Sequence, residues 1–368
     1  MKKMKVLIRA FCATNFGDDL FIKLLCNRYP DVFFYMQCPK KHKNAFNNIE
    51  NLKIIQAKSV KSLIYRGVRR ISADRMYDFS KLDAVVYIAG SIFIENKQIE
   101  GNQAEFLANQ IIDRVPFFVI GANFGPYYTE KYVQDNRQIL VTLKDICFRD
   151  KHSFELFSDL SNVRWAADCL LSYDVSRFST VKPERKIAIS LIKNNGRSGF
   201  IKYDESSYLE KIVEIVNKYL EKDYSIVFIN LCLAQKDNEA TEYCLEKLSK
   251  SDRIKVCDYT GDENEVLFQI ASSEYIIASR FHAMIFAWLL KRPVLPIVYG
   301  DKTLNAIKSY GFCGEYIGID EFGTADMNRI DENRRNHYVF DVEDLTADAN
   351  NQFRGFESYK EGLMKWNQ

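Results

Sequence analysis

The sequence lacks the marks of a polyanion binder, a membrane protein or a secreted one. Its formal net charge is only +2. Neither sign dominates, so no nucleic acid is expected as partner, although single basic pockets stay open. No Cys-x-x-Cys occurs among the nine cysteines, and the four histidines are scattered. A metal cluster is therefore not expected. The odd number of cysteines has no paired spacing, and Cys147 and Cys232 lie inside apolar segments. They read as reduced core thiols of a cytoplasmic protein. No apolar run reaches the roughly 18 to 20 residues that span a bilayer. The start, "MKKMKVLIRAFCATNFGDD", has too short an apolar run and no cleavage site for a signal peptide. Neither GxGxxG nor GxxxxGK[ST] is present, so no nucleotide cofactor is indicated. The signature of disorder is missing as well, since 47% of residues are hydrophobic and 14% aromatic.

What the sequence does have is alternation. Apolar strands such as "KVLIR", "VFFYM", "DAVVYIAG" and "PFFVIGANFGP" are separated by helical stretches, among them "AEFLANQIIDRV" and "SFELFSDL". That order implies a parallel sheet covered on both faces. The pattern restarts after "SRFSTVKPER", the best linker candidate. "KIAISLI", "YSIVFINLC", "DRIKVCDY", "EYIIAS" and "PVLPIVYG" read as strands. "SYLEKIVEIVNKYLEK" is an amphipathic helix with Leu209, Ile212, Ile215, Val216 and Leu220 at helical spacing. The fold class is thus α/β, with two doubly wound Rossmann-like domains facing a cleft. The first is expected over residues 1–180 and the second over 181–325. The segment 326–368 is an irregular tail, read as a helix returning across the domain junction.

In open parallel sheets, ligands bind outside the carboxyl ends of strands. The loops at those ends therefore carry the candidates. In "TNFGDD", Gly17 permits a tight turn, and Asn15 and Asp18 flank it. Asp18 and Asp19 either cap the following helix or bind or deprotonate sugar hydroxyls. "AGSIFIENKQ" places Ser91 after a strand, either as a plain connection or as cleft lining. "GANFGP" brings Asn123 and Gly125 into a glycine loop that is a plain turn or lets a ligand approach backbone. In "FRDKHS", Arg149 either forms a surface ion pair with Asp150 or clamps a carboxylate or phosphate.

The strongest candidate is "SEYIIASRFHAMIFAWLLKRPVLPIVYGDKT". A buried strand leads to Ser279, read as a helix cap, with Arg280 and His282 in the first turn. A helix N-terminus favours an anion, and these two side chains strengthen that preference. Histidine in such a place is pushed toward neutrality, and a bound anion pushes it back. Lys302 follows the next strand and serves either as a solvated loop residue or as a second cation. His42, His152 and His337 lack comparable settings.

"NFGD", "YIAGS", "GANFGP", "FRDKHS", "AADCLL" and above all "SRFHAMIFAWLLKRPVLPIVYGDKT" occur in that order across about residues 5–303. Together they resemble the polysaccharide pyruvyl transferase family. The resemblance implies a GT-B-like glycosyltransferase architecture. It also implies transfer of pyruvate from phosphoenolpyruvate to a sugar, as a ketal on two hydroxyls. The acceptor would be a glycan or a lipid-linked precursor, reached from the cytoplasm or the inner face of the membrane. Arg280 and His282 match the family's donor-binding Arg-x-His pair, with Phe281 a mild departure at the middle position. Arg149, Asn15, Gly17 and Asp18 match recurring positions. The roles expected are Arg280 on the donor's phosphate or carboxylate, His282 as acid or as the residue that aids phosphate departure, Asp18 to position or deprotonate an acceptor hydroxyl, and Arg149 and Lys302 as further clamps. The alternative is a GT-B-like glycosyltransferase with a nucleotide-sugar donor. A non-catalytic glycan-binding protein on the same fold is a third reading.

Overall fold

The structure, a computed structural model, describes residues 3–55, 82–95, 115–194 and 203–366. The chain divides into two compact units. Unit 1 comprises Met1–Ala13, Asp18–Cys169 and Asp348–Gln368, and unit 2 comprises Thr14–Gly17 and Leu170–Ala347.

Unit 1 contains strands β1 (Lys5–Arg9), β2 (Phe33–Gln37), β3 (Leu52–Ile55), β4 (Ala84–Ile88), β5 (Ser91–Phe93), β6 (Phe117–Phe124), β7 (Asp145–Phe148) and β8 (Val163–Trp165). They pair in parallel in the order β3-β2-β1-β4-β6-β7-β8, with β5 on β6. All eight residues of β6 are buried, as expected of a strand covered on both faces. Unit 2 has β9 (Glu184–Ser190), β10 (Ser225–Asn230), β11 (Ile254–Asp258), β12 (Ser273–Ala278), β13 (Val294–Val298) and β14 (Ile317–Gly318). Their order is β11-β10-β9-β12-β13-β14, again all parallel. Both sheets reverse direction of winding beside their first strand, between β1 and β4 and between β9 and β12. Those are the switch points where such folds take ligands.

The helices that matter here are α1 (Phe16–Arg28), α2 (Glu130–Leu140), α3 (Lys151–Glu155), α4 (Glu205–Glu221), α5 (Asp237–Lys247), α6 (Glu263–Ala271), α7 (Phe281–Leu289) and α8 (Asp301–Tyr310). Helix α4 shows why they form. Asp204 caps it by accepting from the Ser206 and Ser207 amides, which satisfies two otherwise orphan donors. Leu209, Ile212, Ile215 and Val216 then enter the unit 2 core, and Leu220 packs on it half-buried. Each fully buried side chain contributes about 1.5–3 kcal/mol.

Several expectations need correction. A strand over Leu52–Ile55 and a helix over Glu130–Leu140 went unread. The strand is short and largely half-exposed at the sheet edge, and the helix's apolar face of Tyr132, Val133, Ile139 and Leu140 is interrupted by Asn136 and outnumbered by polar residues. The glycine loop expected over "GANFGP" is largely strand, because β6 continues to Phe124. Ser91 begins strand β5 and is not in a loop. The helix read over "SFELFSDL" is shorter and ends at Glu155. The helix expected over "AEFLANQIIDRV" lies outside the described residues but for its last residue, Val115.

The tail ends in a helix, Arg354–Trp366. Its best-seated residue is Gln352, fully buried in unit 1. The Gln352 Oε1 accepts from the Gly121 amide at 2.9 Å. Its Nε2 donates to the carbonyls of Phe148, Ala166 and Ala167 at 3.1, 2.7 and 3.2 Å. One side chain thereby ties the middle of β6 to the carboxyl ends of β7 and β8 with backbone-like bonds.

Candidate functional site

Strand β12 delivers the chain to the switch point of unit 2. Ser279 N donates to the Ser190 carbonyl at 3.0 Å, and Arg280 N to Ser190 Oγ at 3.3 Å. These bonds tie the segment to the end of β9. The cap of α7 is Arg280, not Ser279 as expected. Ser279 is occupied elsewhere, its Oγ 2.8 Å from the Tyr208 hydroxyl.

The Arg280 guanidinium turns to α5. Its Nε donates to Asp237 Oδ2 at 3.0 Å, its Nη2 to Asp237 Oδ1, and its Nη1 to Gln235 Oε1 at 2.5 Å. Among the described residues, three of its five N–H donors are used and two are left. The Asp237 side chain is fully buried and that of Arg280 is 12% exposed. Burial raises the Asp237 carboxyl, while Arg280 and the amides of Leu231 and Cys232 act against that rise. The Arg280 guanidinium is held above its ordinary range, the pull of Asp237 outweighing desolvation.

Lys302 enters the same neighbourhood through Tyr299. The ammonium lies 5.2 Å from the Tyr299 ring centroid. Burial pushes the Tyr299 hydroxyl up, but Lys302 and Arg280 together pull it down further, so it sits below the ordinary phenol value. A phenol flanked by two cations is a ready proton carrier.

The turn before α1 belongs to the same unit. Thr14 has φ 50°, a conformation that costs a β-branched residue about 1–2 kcal/mol. Asn15 Oδ1 accepts from the Gly17 amide at 3.2 Å and so caps α1. Asp18 and Asp19 therefore lie inside the first turn and do not cap it. Phe16 N donates to the Leu231 carbonyl at 3.0 Å, and the Phe16 ring packs on Phe286 and Tyr259 at 5.2 and 5.4 Å. This anchoring sets Gly17 against His282. A Cβ on Gly17 would stand 1.7 Å from His282 Nδ1, so only glycine leaves room for the imidazole.

Unit 1 gathers the second set. Arg149 follows β7, and its Nη1 donates to Asp168 Oδ2 at 2.9 Å and its Nη2 to Asn123 Oδ1 at 2.7 Å. The side chains of Arg149 and Asp168 are 3% and 0% exposed. The surface pair expected of Arg149 is thus a buried pair with another partner. Asp150, its neighbour in sequence, instead caps α3 through Ser153. Gly90 leaves space for this guanidinium, since a Cβ there would lie 2.6 Å from both Nη atoms. Ser91 is the strand partner of Asn123, whose Nδ2 donates to the Gly125 carbonyl at 3.2 Å. Ser91, Asn123, Gly125 and Arg149 are therefore one cluster. Asp18 lies near Cys12 and Tyr87.

The sequence reading missed Asp237, Asp168 and Tyr299. Asp168 sits in "AADCLL" and Tyr299 in "VYGDKT", both motifs read without a role for those residues. Asp237 opens a helix shortly after a strand, which is the one local signal it gives.

The two-unit architecture is shared with solved structures. UDP-GlcNAc 2-epimerase from Neisseria meningitidis, bound to UDP-GlcNAc, superposes with a TM-score of 0.60 at 13% identity, covering 99% of this chain and 100% of that one. Anabaena Alr3699/HepE with UDP-glucose gives 0.58 at 11%, covering 98% and 100%. These likenesses define the fold class as GT-B-like, two parallel-sheet α/β domains. Residues 15–301 match the family Polysaccharide pyruvyl transferase, and the chain belongs to that family. Among curated relatives, the amylovoran biosynthesis protein AmsJ of Erwinia amylovora is 21% identical over 255 residues, 62% of this chain. The match spans 60% of AmsJ's own length. General stress protein 30 of Bacillus subtilis (strain 168) is 24% identical over 261 residues, 66% of this chain and 74% of that protein.

Proposed function

We propose that the protein transfers pyruvate from phosphoenolpyruvate to a sugar of a cell-surface polysaccharide or its precursor, forming a ketal on two hydroxyls. The observation that carries this reading is the Arg280 corner. Two cations and a phenol meet at the switch point of unit 2, inside the segment matched to the family. Two guanidinium donors and the Lys302 ammonium suit a small ligand with a carboxylate and a phosphate. A relative named for amylovoran biosynthesis supports a polysaccharide product.

The chemistry needs a proton at the donor's methylene carbon as a sugar oxygen bonds to C2. The first hydroxyl gives up its proton to a base. The C2–O bond to phosphate then breaks, phosphate leaves with the electron pair, and the second hydroxyl bonds to C2 and releases its proton. His282 is the proposed acid at the methylene, held by the Gly17 seat. Arg280 and Lys302 balance the charge that grows on the departing phosphate. Tyr299 carries protons between these steps. In unit 1, Asp18 is the proposed base for the acceptor, with Ser91, Asn123 and Gly125 as lining and Arg149 holding Asn123 in place.

The test is calorimetric titration with phosphoenolpyruvate and with a panel of nucleotide-sugars. Phosphoenolpyruvate binding that weakens about 10- to 100-fold in Lys302→Met, at unchanged melting temperature, is expected. Binding of a nucleotide-sugar alone overturns the proposal in favour of glycosyl transfer. His282→Gln is expected to lower turnover far more than donor affinity once an acceptor is in hand.

A further inference from the structure

Resting on the anion corner just described, we propose that Tyr203 is a further ligand-contacting residue, whose hydroxyl donates a hydrogen bond to the anion that Arg280 and Lys302 attract. The Tyr203 side chain packs on the unit 2 core just ahead of α4. Its hydroxyl oxygen is buried and, among the described residues, has no hydrogen-bond partner. Leaving a buried hydroxyl without a partner is unfavourable, so native proteins keep few of them. Its charged and phenolic neighbours are Arg280, Tyr299 and Glu205. Glu205 is already engaged, by Lys193 at 2.9 Å and by the Asn194 amide at 2.5 Å.

The neighbouring tyrosine shows what a structural phenol looks like here. The Tyr203 and Tyr208 rings meet edge-on, 5.8 Å apart at 90°. The Tyr208 hydroxyl is fully served, by Ser279 Oγ at 2.8 Å and the Ile192 amide at 3.4 Å. Through Ser279 it fixes the residue ahead of Arg280. Tyr203 makes no such bond among the described residues. Burial raises its hydroxyl above the ordinary phenol range, outweighing the opposite pull of Arg280, so it remains a proton donor. A proton donor beside Arg280 fits an anion and not a second cation. The ligand class is a small carboxylate or phosphate.

The experiment compares wild type, Tyr203→Phe and Tyr208→Phe by titration with phosphoenolpyruvate and with inorganic phosphate, and by thermal unfolding. Removing a hydroxyl without a partner leaves the fold as stable or more so. Tyr203→Phe is therefore expected to keep or raise the melting temperature and to weaken anion binding about 10- to 100-fold, the worth of a hydrogen bond to a charged group. Tyr208→Phe is expected to lower the melting temperature. Unchanged anion binding in Tyr203→Phe overturns the inference and leaves the donor proposal standing. Phosphate binding that depends on Tyr203, without phosphoenolpyruvate binding, supports the inference and removes the donor proposal. A lowered melting temperature in Tyr203→Phe means a structural hydroxyl and overturns the inference. Wild type that binds neither ligand overturns both.

Discussion

Arg149 in unit 1 and Arg280 in unit 2 solve the same problem in parallel ways. Each guanidinium follows a sheet strand, pairs with a fully buried aspartate and adds a side-chain amide oxygen, from Asn123 in one case and Gln235 in the other. Burying a charge demands this, because desolvation costs several kcal/mol per ion unless the partner is close and well aligned. The surroundings then differ. The Arg149–Asp168 pair is neutral as a unit and sits among Gly90, Asn123 and strand ends. The Arg280–Asp237 pair is also neutral, but Lys302 stands next to it through Tyr299 and leaves the corner one positive charge in excess. A neutral pair orders a fold, whereas a pair with a surplus cation beside it attracts an anion. On the proposed function, this contrast favours unit 2 for the donor.

The largest expected effect tests that ranking on stability. Arg149→Ala leaves Asp168 buried without its cation, at a cost of about 3–5 kcal/mol. Arg280→Ala leaves Asp237 with the Leu231 and Cys232 amides still bonded to it at 3.1 and 2.9 Å. The Arg280 side chain is also the more exposed of the two, 12% against 3%, so its loss of stability is expected to be smaller and its loss of anion binding complete. Urea unfolding of both variants measures the difference. Equal losses of stability, with anion binding intact in Arg280→Ala, would break the comparison.

The glycine seats sharpen it. Gly17→Ala drives a methyl into His282 and Gly90→Ala drives one into Arg149. Overpacking of this kind costs about 1–3 kcal/mol, and the rigid imidazole has less room to yield than a guanidinium on a long stem. Gly17→Ala is expected to lower turnover about 100-fold, since an ångström of misplacement at a reacting group costs that much. Gly90→Ala is expected to act on melting temperature first. Turnover that survives Gly17→Ala would remove His282 from the reaction.

Much of this was legible in the sequence, for a physical reason. Strand–helix alternation and the spacing of Leu209, Ile212, Ile215 and Val216 follow from local geometry, and the chain obeys them. Arg280 and His282 stood out because two basic side chains at a strand–helix junction are locally unusual. Their partners were not legible. Asp237 lies 43 residues from Arg280, Asp168 lies 19 from Arg149, and Gln352 lies 231 from Gly121. Pairings of that range are set by the sheet order and leave no periodicity behind. The reassignment of Ser279 has the same origin, since Tyr208 holds it from 71 positions away. The edge strand β3 was missed because pairing with β2 sustains it, not an apolar pattern, and the helix α2 because Asn136 interrupts the face formed by Tyr132, Val133, Ile139 and Leu140.

The smallest effect concerns pH and belongs to unit 2 alone. Tyr299 faces Lys302, Arg280 and Asp237, and the two cations hold its hydroxyl below the ordinary phenol range against the effect of burial. Below that pKa the phenol is neutral and the corner keeps its surplus positive charge. Above it the phenolate cancels that charge and competes with an incoming anion. The donor phosphate is fully ionised above about pH 8 and contributes no slope there. Phosphoenolpyruvate affinity should therefore fall as pH rises from about 8 to 10, by at most about tenfold per unit for one linked proton. Tyr299→Phe should flatten that fall, and a near-ultraviolet titration should lose one low-titrating tyrosine. A slope that persists in Tyr299→Phe would assign the proton to another group. The corner's charge would then be set by Arg280 and Lys302 alone, and the contrast with the neutral Arg149 cluster would hold at every pH in that range.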